Sequence, residues 1–138
     1  MSFGAGIFDF MSLGLSVGER VYPLALPQDV TLPALTYQVI SDVPTISHST
    51  MQDNPTYTGL MHGFTRVQFD CYGSTYDEAE ALCDELQALA VGYRGYWGEV
   101  EVDSVLPDIR LDDLDEGPGL FRVICDLIIG HRTIPGSS

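Results

Sequence analysis

The sequence predicts an α+β domain. The expected architecture is an antiparallel four-stranded sheet in the order 34–41, 66–72, 120–129, 99–106, with a helix over 75–91 packed on one face and a short helix at the N-terminus. Three observations carry this expectation. Apolar side chains alternate with polar ones over several short segments, as in strands with one buried face. One segment between them carries an apolar stripe at spacings of three and four behind a helix-start signal. Opposite charges on two of the strands can be set against each other in a single register.

Residues 5–16, AGIFDFMSLGLS, place Ile7, Phe8, Phe10, Met11 and Leu15 at roughly helical spacing. Glycines at 4, 6 and 14 weaken this helix by propensity. Arg20-Val21-Tyr22-Pro23 reads as a brief extended piece, and Pro27 and Pro33 bracket a loop. Over 34–41, Leu35, Tyr37 and Val39 share one face of a strand and Thr36, Gln38 and Ile40 the other. The stretch 42–65 has no clean period and contains Pro44, Pro55 and Gly59, so it is expected to project as an arm or loop.

Over 66–72, Val67, Phe69 and Cys71 point to the core, with Arg66, Gln68 and Asp70 facing away. Thr75 and Glu78 form a T-x-x-E capping box. Asp77, Glu78 and Glu80 lie at the positive end of the helix dipole. Tyr76, Ala79, Leu82, Cys83, Leu86, Leu89 and Ala90 make the apolar stripe, and Gly92 is the expected stop. Residues 99–106, EVEVDSVL, alternate acidic with apolar, and 107–119 read as an acidic loop. In 120–129, Phe121, Val123, Cys125, Leu127 and Ile129 share a face, and 131–138 read as a mobile tail. Setting Gln68 opposite Ile124 brings Arg66 against Asp126 and Asp70 against Arg122, with apolar residues meeting on the other face.

Composition limits the function. A chain of 138 residues, 45% hydrophobic and 19% charged, fits one globular domain over 1–138. No apolar run approaches the ~20 residues that span a bilayer. The first residues lack the basic region of a secretory signal, so the expected place of assembly is the cytoplasm. The three cysteines have no paired spacing and lie on apolar faces, which reads as small buried hydrophobes. Net charge is −14, with no lysine and six arginines. Such a surface disfavours sequence-specific nucleic-acid binding; it serves solubility, or forms a wall that DNA passes without adhering.

Chemical motifs are missing. No nucleophile elbow, phosphate-binding glycine loop, C-x-x-C or H-E-x-x-H occurs, and His48, His62 and His131 are scattered. The run Asp112, Asp113, Asp115, Glu116 departs from a calcium loop at Gly117-Pro118. No catalytic residue, cofactor or metal is expected. Trp97, with Tyr93 and Tyr96, either packs over the sheet edge or anchors an interface.

The order of these pieces resembles the tail completion, or tail terminator, proteins of long-tailed (siphovirus-like) bacteriophages. The resemblance rests on Arg20-Val21-Tyr22-Pro23, the strand Pro33 to Val39, a strand ending in an aromatic before the Y-x-x-A-x-x-L helix Tyr76 to Leu82, and a closing strand with Asp126 in its second half. It implies a virion protein at the head–tail interface, forming a ring, typically a hexamer. Such a ring caps the tail tube, stops its polymerisation and passes genomic DNA through its bore. Implied partners are sibling subunits, the tail tube protein, a head-side stopper or connector protein and the tape measure protein, with no membrane. The alternative is a small head-completion or adaptor protein of the connector. On this resemblance the expected subunit or tube interface is Thr45, Ile46, His48, Met51, Tyr57, Leu60, Met61, Tyr96 and Trp97. The expected acidic bore or solvent face is Glu99, Glu101, Asp103, Asp112, Asp113, Asp115 and Glu116.

Overall fold

The structure, a computed structural model, describes residues 3–45, 61–113 and 120–133. Among the described residues two helices, α1 (Phe3–Gly14) and α2 (Tyr76–Ala90), accompany six strands. These are β1 (Val21–Pro23), β2 (Ala34–Thr45), β3 (Met61–Gly73), β4 (Gly95–Trp97), β5 (Val100–Asp113) and β6 (Phe121–Thr133). They form one sheet in the order β1-β2-β3-β6-β5-β4. The pair β1/β2 is parallel and all other neighbours are antiparallel.

This corrects the expected antiparallel four-stranded sheet: the sheet is six-stranded, mixed, and curled into a half-barrel. The two additional strands are three residues each, too short for an alternation pattern to reveal. β1 is held by the ladder to β2, which Leu35 N–H extends by donating to the Arg20 carbonyl and Leu24 N–H to that of Tyr37. The curl has a local cause. Bulges fall between Val39 and Ser41 on β2, and between Val102 and Ser104 and between Pro107 and Arg110 on β5. Each bends its strand and increases the twist.

The long strands run past their expected limits. β2 and β3 remain paired out to Thr45 and His62, so both ends of the expected 42–65 arm belong to the sheet. β5 continues through residues 107–113, read above as loop, and β6 through Thr133, into the expected tail. The register between β3 and β6 also differs. Gln68 lies opposite Asp126, not Ile124, a slide of two residues. Because side chains alternate with period two, this slide keeps both faces intact, and alternation alone cannot tell the two registers apart. The observed register sets Phe64 opposite Gly130. A Cβ on Gly130 would crowd Ser104 and Asp103 of β5 and, less closely, Phe64.

The core lies between the sheet and the helices. α2 packs on β3 and β6 through Ala79, Leu82, Cys83, Leu86 and Ala90, against Val67, Phe69, Cys71, Val123, Cys125 and Leu127. At its start Thr75 Oγ1 accepts from Glu78 N–H at 3.1 Å, while the Glu78 carboxylate accepts from Ser74 N–H at 2.9 Å, one residue earlier than in a standard capping box. At its end Gly92, at φ +81°, turns the chain and donates its N–H to the Val105 carbonyl.

α1 closes the other part of the core. Its apolar residues cover Trp97, which is completely buried and stacks on Phe10 with centroids 4.5 Å apart. The glycines that weaken this helix on propensity are contact points. A Cβ on Gly6 would run into the Trp97 carbonyl, and one on Gly14 would meet the Leu89 methyls of α2. The replacement Gly6→Ala therefore gives opposite signs for two causes. Propensity alone would stabilise by about 1 kcal/mol, whereas overpacking against backbone costs about 1–3 kcal/mol. Net destabilisation is expected, read as a lower urea midpoint at unchanged slope.

Candidate interaction surface

The helices cover one side of the sheet, and the opposite side is uncovered by any described element. That side is built by alternation. On β3 it carries Phe64, Arg66, Gln68, Asp70 and Tyr72, and on β6 Arg122, Ile124, Asp126, Ile128 and Arg132. β5 joins it through Leu106 opposite Ile128 and Leu111 opposite Ile124. The bulge after Pro107 decides which β5 side chains arrive there. Val105 faces the helices; unbroken alternation would put Leu111 with it and Arg110 outside. The extra residue reverses this. Arg110 pairs with Cys125 on the helix side and Leu111 turns outward.

Charge on the uncovered side is matched pair by pair. Arg122 Nη1 lies 3.2 Å from Asp70 Oδ2, and Gln68 Nε2 donates to Asp70 Oδ1 at 2.9 Å. Arg66 contacts Asp108 closely and Asp126 at 4.0 Å, and Arg132 lies 3.4 Å from Asp103. Arg66–Asp126 and Asp70–Arg122 are thus diagonal pairs rather than directly opposite ones, a consequence of the two-residue slide. Three of the six arginines sit on this one face of a chain of charge −14. Burial raises the Asp126 carboxyl pKa; Arg66 opposes the rise, and the Asp108 and Asp70 carboxylates add to it. Asp126 Oδ1 has no hydrogen-bond partner among the described residues.

The expected interface residues are dispersed. Tyr96 is 63% exposed, beside a cleft of about 420 Å³ that it lines with Asp9, Phe10, Leu13 and Tyr93. Trp97 is a core residue with no surface to offer a partner, which corrects its assignment as an interface anchor. Thr45 and Met61 end β2 and begin β3. Ile46, His48, Met51, Tyr57 and Leu60 lie outside the described residues.

The acidic set does not form a single patch. Glu99, Glu101 and Asp103 stand at the β4 end of β5 and Asp112 and Asp113 at its other end, roughly 30 Å away at ~3.3 Å per residue. Asp103 is engaged by Arg132, and Asp112 accepts from Tyr76 OH at 2.5 Å. Asp115 and Glu116 lie outside the described residues.

The thiols converge. Cys83 of α2 meets Cys71 of β3 and Cys125 of β6, and all three are free and buried. Burial raises Cys71; a hydrogen bond to Cys83, together with burial, raises Cys125. Hydrogen bonds from Cys125 and Cys71 pull Cys83 below the ordinary thiol value, with the Arg110 guanidinium adding to the pull and burial opposing it. A cationic neighbour therefore exists that the sequence did not disclose: Arg110, held by Asp84 at 2.7 Å and Gln87 at 2.9 Å. No period in the sequence signals this, because the bulge after Pro107 reverses the side on which Arg110 falls. Yet the thiols have no exposed surface, so a substrate has no approach to them. His131 is likewise in the core, its Nε2 2.6 Å from Thr65 Oγ1 and its ring 4.7 Å from that of Phe3. Among the described residues no cluster of His, Cys, Asp and Glu is fit to hold a metal ion, and no helix is long and apolar enough to cross a membrane.

No family model matches the chain, and no curated protein matches it. Among solved structures it shares its fold with a chain of "Virion of native gene transfer agent (GTA) particle", at TM-score 0.55 and 10% identity, over 85% of this chain and 81% of that one. At this identity the likeness shows the fold.

Two outcomes are expected. A maleimide should modify Cys71, Cys83 and Cys125 far more slowly in the native protein than in denaturant, followed by mass spectrometry; rapid native labelling would reveal a reactive thiol. For Asp126, the native state binds more protons than the unfolded chain between the ordinary carboxylate value of about 3.9 and the raised native value. The site's contribution to stability therefore grows as pH falls through that native value. Asp126→Asn should be neutral or stabilising at pH 7 and lose that advantage toward pH 4, measured by urea unfolding at both.

Proposed function

We propose that this chain is a structural component of a phage-like virion. Its subunits close into a ring, typically of six, on the end of the tail tube. The ring stops tube growth, joins the tail to the head-side stopper or connector, and lets the genome pass through its bore. The observation that carries this is the fold shared with a virion chain over most of both lengths, at 85% and 81%. The ordered motifs Arg20 to Pro23, Pro33 to Val39, Tyr76 to Leu82 and Asp126 support the tail-terminator form of the proposal. A net charge of −14 suits a bore that DNA must traverse without being held. The uncovered sheet side, with matched charges and exposed leucines, suits protein contact rather than small-molecule chemistry.

The test is electron microscopy and native mass measurement of the purified protein, alone and mixed with tail tubes. Closed rings seated on tube ends, with tube length no longer increasing, are expected. A monomer that binds a connector component and leaves tube ends open would be an adaptor and would overturn the proposal.

A further inference from the structure

The sheet has two open borders. On one side β1 pairs only with Leu35, Thr36 and Tyr37 of β2, leaving β2 from Gln38 to Thr45 without an outer neighbour among the described residues. On the other, β4 pairs only with Val100, Glu101 and Val102 of β5, and Gly92 N–H reaches the Val105 carbonyl. From Leu106 to Asp113 β5 has no described outer neighbour. Five of the ten large hydrophobic residues exposed among those described lie on these two stretches: Val39 and Ile40 on β2, Leu106, Ile109 and Leu111 on β5. An unpaired strand edge flanked by exposed apolar side chains is a template for another strand.

We infer that these two borders join to each other between copies of this chain, the outer half of β5 adding to the outer half of β2 of the next subunit. Strand direction allows it. β2, β3, β6 and β5 alternate, so β2 and β5 run oppositely, and placing one copy beside the next in the same orientation makes their contact antiparallel. Charge selects it over self-pairing of β5. The stretch 103–113, DSVLPDIRLDD, carries four aspartates and one arginine, so two β5 strands laid together would oppose like charges. The β2 stretch 38–45, QVISDVPT, carries one aspartate. Pro107 and the bulges guard both borders against indiscriminate pairing.

The positions of the two short strands add a geometric reason for closure. Following the ladders across the sheet, Thr45 stands level with Glu101, and Leu35 level with Asp112. β4 therefore covers one corner of the sheet and β1 the diagonally opposite corner. For the two open halves to face each other, neighbouring copies must be displaced along the strands by about four residues, roughly 13 Å at ~3.3 Å per residue. A displacement per repeat is what tilted strands provide when a sheet closes on itself. Over four strand spacings of ~4.8 Å it corresponds to a tilt of roughly 35°. The curled, bulged sheet described above is already bent toward such closure. A head-to-tail contact of this kind uses two different patches on every copy, and it gives a ring where its rotation closes.

This inference rests on the ring-forming proposal and is tested at its own contact. Full-length Leu111→Cys and Ile40→Cys proteins are treated with a short bismaleimide, separately, mixed and as the double variant; the native thiols are buried. Cross-linked dimer from the mixture, a ladder of higher species from the double variant, and less than a tenth of that yield from either protein alone are expected. Efficient cross-linking of Leu111→Cys alone would show β5 meeting β5 and overturn the inference. Rings visible by microscopy without cross-links in the mixture would overturn it and leave the ring proposal standing. A protein that stays monomeric at every concentration and never cross-links would overturn both.

Discussion

The apolar seam between α2 and the two inner strands β3 and β6 is the contact on which the rest of the structure depends. It holds Phe69, Cys71, Cys83, Leu86, Val123, Cys125 and Leu127 with no exposed surface, and it lies at the middle of the six-stranded order. Its energetics are those of close packing. Each fully buried side chain of this size contributes about 1.5–3 kcal/mol relative to exposure. The three thiols belong to this seam as small apolar bodies, and their hydrogen bonds to one another satisfy donors that would otherwise be lost. Because α2 occupies only the centre of one side, the outer strands must find other cover. α1 supplies it for β4, through the aromatic stack of Phe10 on Trp97.

The other side of the sheet is organised by the same alternation but with a different outcome. Each arginine there lies against an aspartate of another strand, so the surface is neither strongly acidic nor free of charge. Such exposed and half-exposed pairs add little stability; they determine which surfaces can approach without repulsion. In a chain this acidic, the balanced sheet side and the β2 border, with one aspartate, are where contact with another acidic surface costs least.

The helix α2 was legible from its stripe and cap, and the alternation in β3 and β6 was legible from single residues such as Val67, Phe69 and Cys125. Their partnership was legible through the charges of Arg66, Asp70, Arg122 and Asp126. The register was not, because a slide of two residues preserves every face. In the observed register Gly130 lies opposite Phe64, where a side chain would crowd Ser104, Asp103 and Phe64. The strand β5 was half legible: its first residues alternate cleanly, but the bulge after Pro107 shifts the period, and the acidic residues beyond it read as loop. The short strands β1 and β4 carry too few residues for any period, and the glycines of α1 read as weakness when they are the points of closest approach.

By itself the sequence determined an α+β composition, the position of the covering helix, the inward direction of three cysteines and a strongly negative net charge. These follow from periodicity, capping chemistry and net charge, all of which are local or additive. Tertiary structure alone decided that the sheet is mixed and six-stranded, that Trp97 is core rather than contact, and that Arg110 lies beside Cys83. It also decided that the two short strands leave diagonally opposed borders open. Each of these depends on where a bulge, a missing Cβ or a parallel partner falls once distant segments meet, and no period along the chain records that.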